Sequence, residues 1–369
     1  MLCLSVYPED GPSVRHRICT YRESWAAAGV SLEIRPFLTR ALFRRRRTFG
    51  LRATLFKAAH MAFCTARLLF RLATVPRYDA VIIHREAFPI GGAWFEEKIA
   101  RLNPRVVFDI DDALWLPMPL AVDQRRFLWS PDRVSRAMST CAAVVAGNSF
   151  LRSYAGARNA LVPVIPTPYR DLGGKAATGP GARPPVIVWI GNVGNEEYLE
   201  LVREPLQRLA KRHDFVLRVI GSAEAARLRM DGVHIEALEW REDREGEWLL
   251  GSAIGIMPLH DREYERGKCS FKLVQYLSAG MPVVASPVGM NVEVVSEGRN
   301  GFLATSPDDW YRALDRLLSD PELRVAMGRQ GYEDYRGRFT PGGNAQRWLA
   351  LFRRLQSTRG AHSATQAEP

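Results

Sequence analysis

The stretch Lys268–Asn300, KCSFKLVQYLSAGMPVVASPVGMNVEVVSEGRN, decides how the rest of the chain is read. It opens as a loop with two lysines, Lys268 and Lys272, and runs into a short helix. The apolar positions Leu273, Val274 and Leu277 share a face of that helix before a stop at Ala279-Gly280. A buried strand, Pro282 to Ala285, follows at once, and the turn SPVGMN lies at its carboxyl end. Ligands bind at the carboxyl ends of strands in an open α/β sheet, so glycines and polar groups gathered there mark a candidate site. The plain alternative is an ordinary helix-to-strand connection.

Bulk properties set the frame for this stretch. The 369 residues make about two domains, and 47% hydrophobic content is enough for real cores. Cys3, Cys19, Cys64, Cys141 and Cys269 are odd in number, scattered, and lack CxxC or Cys/His spacing. Neither a disulfide framework nor a zinc site is indicated, and a reduced, cytoplasmic compartment is expected. Met1 leads into LCLSV, a five-residue apolar run that reads as a strand and is too short for the core of a secretion signal. No run reaches the roughly 20 uncharged apolar residues of a membrane span.

The net charge of +11 has one source. Between Arg35 and Arg77 stand eleven basic residues, including Arg44 to Arg47, and no acidic ones; without them 40 basic residues face 40 acidic ones. Within that segment Leu51, Leu55, Ala59, Ala62, Ala66, Leu69 and Leu72 recur at helical spacing among Phe56, Met61, Phe63 and Phe70. A basic amphipathic helix of this kind suits an anionic membrane surface, the inner face of the plasma membrane for a cytoplasmic protein. The other reading is a partly buried inserted helix with a solvated arginine loop. Nucleic acid is the weaker partner class, because no stacking platform or reading motif accompanies the basic residues.

Taken in order, strands and helices alternate. Strands are expected at 2–6, 30–34, 80–83, 106–108, 143–146 and 161–165, with helices between them, one of them from Val14 to Ala28. Such a βαβ series predicts a parallel sheet with helices on both faces. Residues 171–185, DLGGKAATGPGARPP, read as a linker. A second series follows, with strands at 186–190, 215–220, 233–237, 254–257, 282–285 and 301–304. Ser306-Pro307 and Asp320-Pro321 start two more helices. A last helix places Trp348, Leu351, Phe352 and Leu355 on one face. The predicted organisation is a first domain over 1–170 with the basic insertion 35–77, the linker, a second domain over 186–340, a helix over 341–357 crossing back to the first domain, and a disordered tail over 358–369.

At this point the residues carry a resemblance. The segment from Lys268 onward, continued through GFLA, resembles the donor-nucleotide region of family 4 (group 1) glycosyltransferases of the GT-B fold. GPSVRHR, VFDIDDALW, VVAGNSFLRSYA, IPTPY, VIVWIGNVGNEEYL, LRVIG and IGIMPL look like further counterparts in the same order, as in bacterial members acting on polysaccharide or lipid-linked glycans. The resemblance implies two Rossmann-like, doubly wound domains facing across a cleft. It also implies transfer of a sugar from a nucleotide diphosphate sugar to a glycan or lipid-linked acceptor, normally with retention, with no bound metal and no cofactor beyond the donor.

Physical chemistry agrees on where to look. A leaving diphosphate develops negative charge, which fixed cations and the N–H groups at a helix start stabilise, so Lys268, Lys272, Ser270 and Phe271 are the first candidates. Gly191 and Asn192 end the first strand of the second series, where bare backbone approaches a phosphate. Gly289 and Glu293 lie in and after the glycine turn, and Gly11 in the first-strand loop allows a similar approach. The family usually has two glutamates here, one facing the sugar and one contacting ribose; in this chain those positions hold Gly267 and Gln275. Gln275 still donates and accepts. On the acceptor side stand Asp111 and Asp112 at the end of a strand, with Glu86, Arg15 and Arg17. The D-x-D-D run at Asp109 also has the composition of a divalent-cation site, but the resemblance predicts none. His84 receives no role. Other readings are a non-catalytic GT-B binding partner and a nucleotide-sugar epimerase of the same fold.

Overall fold

The computed structural model describes residues 1–45, 50–116, 130–181, 184–191, 195–221 and 227–365. The chain divides into two compact units, Met1–Thr167 with Pro341–Pro369, and Pro168–Thr340.

The first unit holds five strands: β1 Leu2–Ser5, β2 Glu33–Pro36, β3 Val81–His84, β4 Val106–Ile110 and β5 Ala143–Ala146. They pair in parallel in the order β2-β1-β3-β4-β5, with Leu2 opposite both Glu33 and Val81, and His84 opposite Asp109. β1, β3, β4 and β5 are buried at every position, as a parallel sheet covered on both faces requires. This is a doubly wound order whose direction reverses between β1 and β3, so the crevice at their carboxyl ends is where a ligand is expected. One face is covered by Val14, Ile18, Tyr21 and Trp25, and by Trp348 and Phe352 of the helix Pro341–Thr365. Trp25 meets Trp348 edge-on at 6.1 Å.

Four expectations need correction here. The second strand starts at Glu33 rather than Val30, because the Val30 N–H bonds back to the Trp25 carbonyl and closes the preceding helix. The helix expected from Val14 to Ala28 is two short helices, Pro12–Arg17 and Arg22–Ala27, joined by a 3-10 turn. Residues 161–165 contribute one isolated bridge, Ala146 to Val164, instead of a strand. The last helix continues beyond residue 357 to Thr365.

The second unit holds β6 Val186–Ile190, β7 Val216–Gly221, β8 His234–Glu239, β9 Ile254–Met257, β10 Val283–Ala285 and β11 Gly301–Leu303. The order β11-β10-β9-β6-β7-β8, all parallel, is the doubly wound dinucleotide-type order, with its switch point between β6 and β9. Trp189, Leu206, Leu217, Ile254, Trp310 and Leu314 fill its core. Ser306 caps the helix Pro307–Ser319 through a reciprocal pair with Asp309, and Asp320 caps Pro321–Arg338. The stretch expected as a linker belongs to this unit. Gly174 and Ala176 donate to the carbonyls of Ser278 and Ala279, and Ala177 to that of Leu250. Gly280 ends the helix Phe271–Ala279 at φ 80°, and a Cβ there would lie 2.7 Å from the Gly174 carbonyl.

Candidate functional site

Each unit gathers polar residues at its own switch point. In the first unit the loop after β1 enters the helix Pro12–Arg17 through Gly11, where a Cβ would sit 3.0 Å from the Pro8 carbonyl oxygen. Ser13 on that helix meets the residues that end β3 and β4. Its Oγ lies 2.7 Å from His84 Nε2 and 2.8 Å from Asp111 Oδ2, and His84 Nδ1 lies 2.7 Å from Asp109 Oδ2. Arg17 bonds Asp109 through Nε and Nη2, at 2.8 Å for the shorter, and donates to the Ile165 carbonyl. Arg85 holds Asp111 with Nε at 2.5 Å and Asp112 with Nη2 at 2.6 Å. Burial raises the Asp111 pKa, but Arg85, His84 and Arg17 outweigh it and hold the carboxyl below the usual carboxylate range. Arg85 sits at φ 64°, a left-handed conformation that costs a non-glycine residue on the order of 1 kcal/mol, so its place between the two aspartates is over-determined.

These contacts revise the acceptor-side roles. Arg17, expected among the acceptor-side residues, is fully buried and serves Asp109. Asp111 and Asp112 are in ion pairs with Arg85, so a hydroxyl approaching them meets paired carboxylates. The D-x-D-D run is already balanced by Arg17 and Arg85, and among the described residues no group of three or more His, Cys, Asp and Glu is arranged to hold a metal. Arg15 Nη2 lies 3.2 Å from His16 Nε2. Glu86 pairs with Arg133 at 2.8 Å, and Arg133 also holds Glu96. Those three residues line a cavity of about 50 Å³ together with Arg85 and Ser130.

In the second unit the lysines follow β9, Lys268 in a loop and Lys272 in the first turn of the helix Phe271–Ala279. Lys272 Nζ lies over the Trp189 indole at 5.3 Å, and Lys268 Nζ lies over the rings of Tyr264 and Tyr198 at 4.9 and 5.8 Å. Desolvation, followed by the like charge of Lys268, pushes the Lys272 ammonium down to about 7. No ion-pair partner of Lys272 exists among the described residues. Ser270 precedes the helix Phe271–Ala279 at φ 47°, and its hydroxyl donates to Asn291 Oδ1 instead of capping the helix. No side chain caps the start of that helix, the end of a helix that favours an anion. The Phe271 ring packs edge-on against Tyr169 at 5.7 Å.

The glycines have packing reasons of their own. A Cβ on Gly191 would lie 2.2 Å from the Trp189 ring, so its smallness also serves the indole beneath Lys272. Gly289 is at φ 52°, with the Arg266 carbonyl oxygen 2.5 Å from a Cβ position. Glu293 is half-buried on Asn291–Val294, and its carbonyl accepts from Arg338. Asn192 lies outside the described residues. Gln275 is buried and donates to Glu245, a residue that no sequence pattern singled out. Ser13, His84, Arg85, Arg133, Glu96, Tyr198 and Glu265 were likewise missed, and Asp109 was singled out only as part of the D-x-D-D run. Glu265 is fully buried two residues before Gly267 and accepts from the Tyr198 hydroxyl at 2.7 Å. The available signal was position: His84 and Asp109 each close or nearly close a buried strand.

The architecture is that of the GT-B fold, and residues 184–320 match the family model described as glycosyl transferases group 1. Sucrose-phosphate synthase from Thermosynechococcus elongatus superposes with a TM-score of 0.68 at 14% identity, covering 97% of this chain and 99% of that one. Anabaena HepE, solved with UDP and glucose, gives 0.64 at 14% identity over 95% and 98%. In sequence, the D-inositol 3-phosphate glycosyltransferase of Streptomyces avermitilis is 27% identical over 128 residues, 34% of this chain and 23% of that protein. The Corynebacterium glutamicum protein of the same name is 41% identical over 71 residues, 18% and 17% of the two chains. The chain thus matches under a quarter of the length of these curated relatives.

Proposed function

We propose that the protein transfers a sugar from a nucleotide diphosphate sugar to a glycan or lipid-linked acceptor, with retention and without a metal, in the synthesis of cell-surface polysaccharide. The observation that carries this reading is the Lys268–Lys272 pair beside the uncapped start of the helix Phe271–Ala279, at the switch point of the second sheet. Two cations and a set of helix N–H groups at one place suit a diphosphate leaving group, whose developing charge they neutralise. Anabaena HepE, a structural neighbour solved in complex with UDP and glucose, supports the same donor class. The donor is assigned to the second unit and the acceptor to the Ser13–His84–Arg85 region of the first.

The same proposal puts the acceptor at the inner face of the plasma membrane. The helix Leu51–Leu72 buries Cys64, Leu68 and Leu72, while Leu51, Leu55, Phe63, Leu69 and Phe70 face solvent, Leu51 with 77% and Phe70 with 81% of their surface exposed. At 100° per residue these five fall in one arc, opposite the buried stripe. An apolar arc flanked by basic residues suits an anionic bilayer surface. Among the described residues no helix is long and apolar enough to cross a membrane.

The test is a melting-temperature screen against nucleotide diphosphate sugars, followed by transfer and hydrolysis assays with each donor that stabilises the chain. A ligand at 100 times its dissociation constant adds about 2.7 kcal/mol. Stabilisation with transfer supports the reading; binding without turnover on any acceptor favours a non-catalytic partner; no stabilisation by any donor removes it.

A further inference from the structure

The two positions where glutamates are expected hold Gly267 and Gln275, yet a glutamate reaches the same place from another element. Glu245 opens the helix Glu245–Leu250 beyond the carboxyl end of β8 and is 5% exposed. Its Oε1 accepts from the Tyr169 hydroxyl and, at 3.2 Å, from Gln275 Nε2, while its Oε2 accepts from the Trp240 indole N–H. A carboxylate accepts and does not donate, so it can meet only the NH₂ end of the amide. The orientation of Gln275 is therefore set by Glu245. Gln275 Oε1 receives no hydrogen bond from the described residues, which leaves an acceptor one helical turn from Phe271 and Lys272.

We propose that Glu245 is a positioning residue for nucleotide recognition: it turns the Gln275 amide so that Oε1 accepts from the ribose hydroxyls of the bound nucleotide. This rests on the nucleotide-sugar reading above. The same geometry accounts for the amide at position 275. A glutamate there would put a second carboxylate against Glu245 at hydrogen-bond distance, and two like charges so close disfavour each other. One carboxylate and one amide satisfy the pair in either order, because the hydrogen bond needs one donor and one acceptor.

That reciprocity is the test. The full chain is titrated calorimetrically with UDP, ADP and GDP, and with the 2′,3′-dideoxy form of whichever diphosphate binds. The proteins are the native chain, Glu245→Gln, Gln275→Glu, and the double swap. Each single change is expected to weaken binding about 10-fold, the size of one lost or misdirected hydrogen bond to a charged group, and the double swap to return within about 3-fold of the native chain. The native chain and the swap should prefer ribose over dideoxyribose, and Glu245→Gln should lose that preference. The preference is a ratio measured on folded protein, so reduced stability of a variant scales both arms equally and leaves it readable. Additive effects in the double swap, or an unchanged ribose preference in Glu245→Gln, overturn the proposal while the nucleotide-sugar reading stands. Failure of all three diphosphates to bind the native chain overturns both.

Discussion

The ammonium of Lys272 lies 5.3 Å from the centre of the Trp189 indole, on the strand that Gly191 follows. The arrangement takes the cation out of water while Lys268 repels it, and its pKa falls from 10.5 to about 7. Between those values the unfolded chain binds a proton that the folded chain has released. Stability gained from this group therefore rises as pH climbs through 7 toward 10.5, and its penalty is fully present below 7.

Binding runs the other way with pH. A diphosphate is held by the ammonium form, so affinity for a nucleotide diphosphate should decline as pH rises from 6.5 to 8.5, with proton uptake on binding measurable from calorimetry in buffers of different ionisation enthalpy. Lys272→Arg, charged throughout, should flatten the profile. The same slope in both proteins would sink the assignment.

Removal of either ammonium tests the loop as a whole. Lys268→Ala and Lys272→Ala should each lower nucleotide diphosphate affinity about 10-fold or more, as expected for one charged hydrogen bond worth about 1.5–3 kcal/mol. Full affinity and turnover in both variants would leave this loop without its role.

Arg17 and Asp109 form a pair from which water is excluded on both sides. Arg17→Met strands Asp109, and a cost of about 3–5 kcal/mol is expected in urea unfolding. Arg22→Met breaks the exposed pair with Glu9 and should cost under about 1 kcal/mol. Equal costs would mean that the first pair is not sealed in solution.

Sedimentation with vesicles tests the helix Leu51–Leu72. Native protein should pellet with vesicles rich in anionic lipid at low salt and be released at high salt or by replacing Arg44 to Arg47 with Ser. Replacing Leu55, Phe63 and Phe70 with Ser should release it at either salt, without a fall in melting temperature, because those side chains already face solvent. Binding untouched by all of these changes would rule out the surface.

A methyl group at position 191 would collide with the Trp189 ring. Gly191→Ala should therefore destabilise the second unit by about 1–3 kcal/mol and shift the indole under Lys272. Loss of intrinsic tryptophan signal change on nucleotide addition would report that shift; a variant as stable as the native chain would show that the loop simply moves aside.

Sequence alone determined the parallel strands, the capped helices and the cationic loop from Lys268, because these depend on local patterns: buried apolar runs, Ser306-Pro307 and Asp320-Pro321 starts, and a glycine stop at Gly280. It also located the helix Leu51–Leu72, but the wheel that marks an apolar face is the same whether that face meets a core or solvent. Only the tertiary structure decided that Cys64, Leu68 and Leu72 are the buried stripe and Phe70 the bare one. The side-chain partnerships were decided there too. Arg17 and Asp109 are 92 residues apart, as Ser13 and Asp111 are 98 and Gln275 and Glu245 are 30, so no local spacing signals them. Parallel crossovers bring distant strand ends together, and burial then fixes which charge each neighbour must answer.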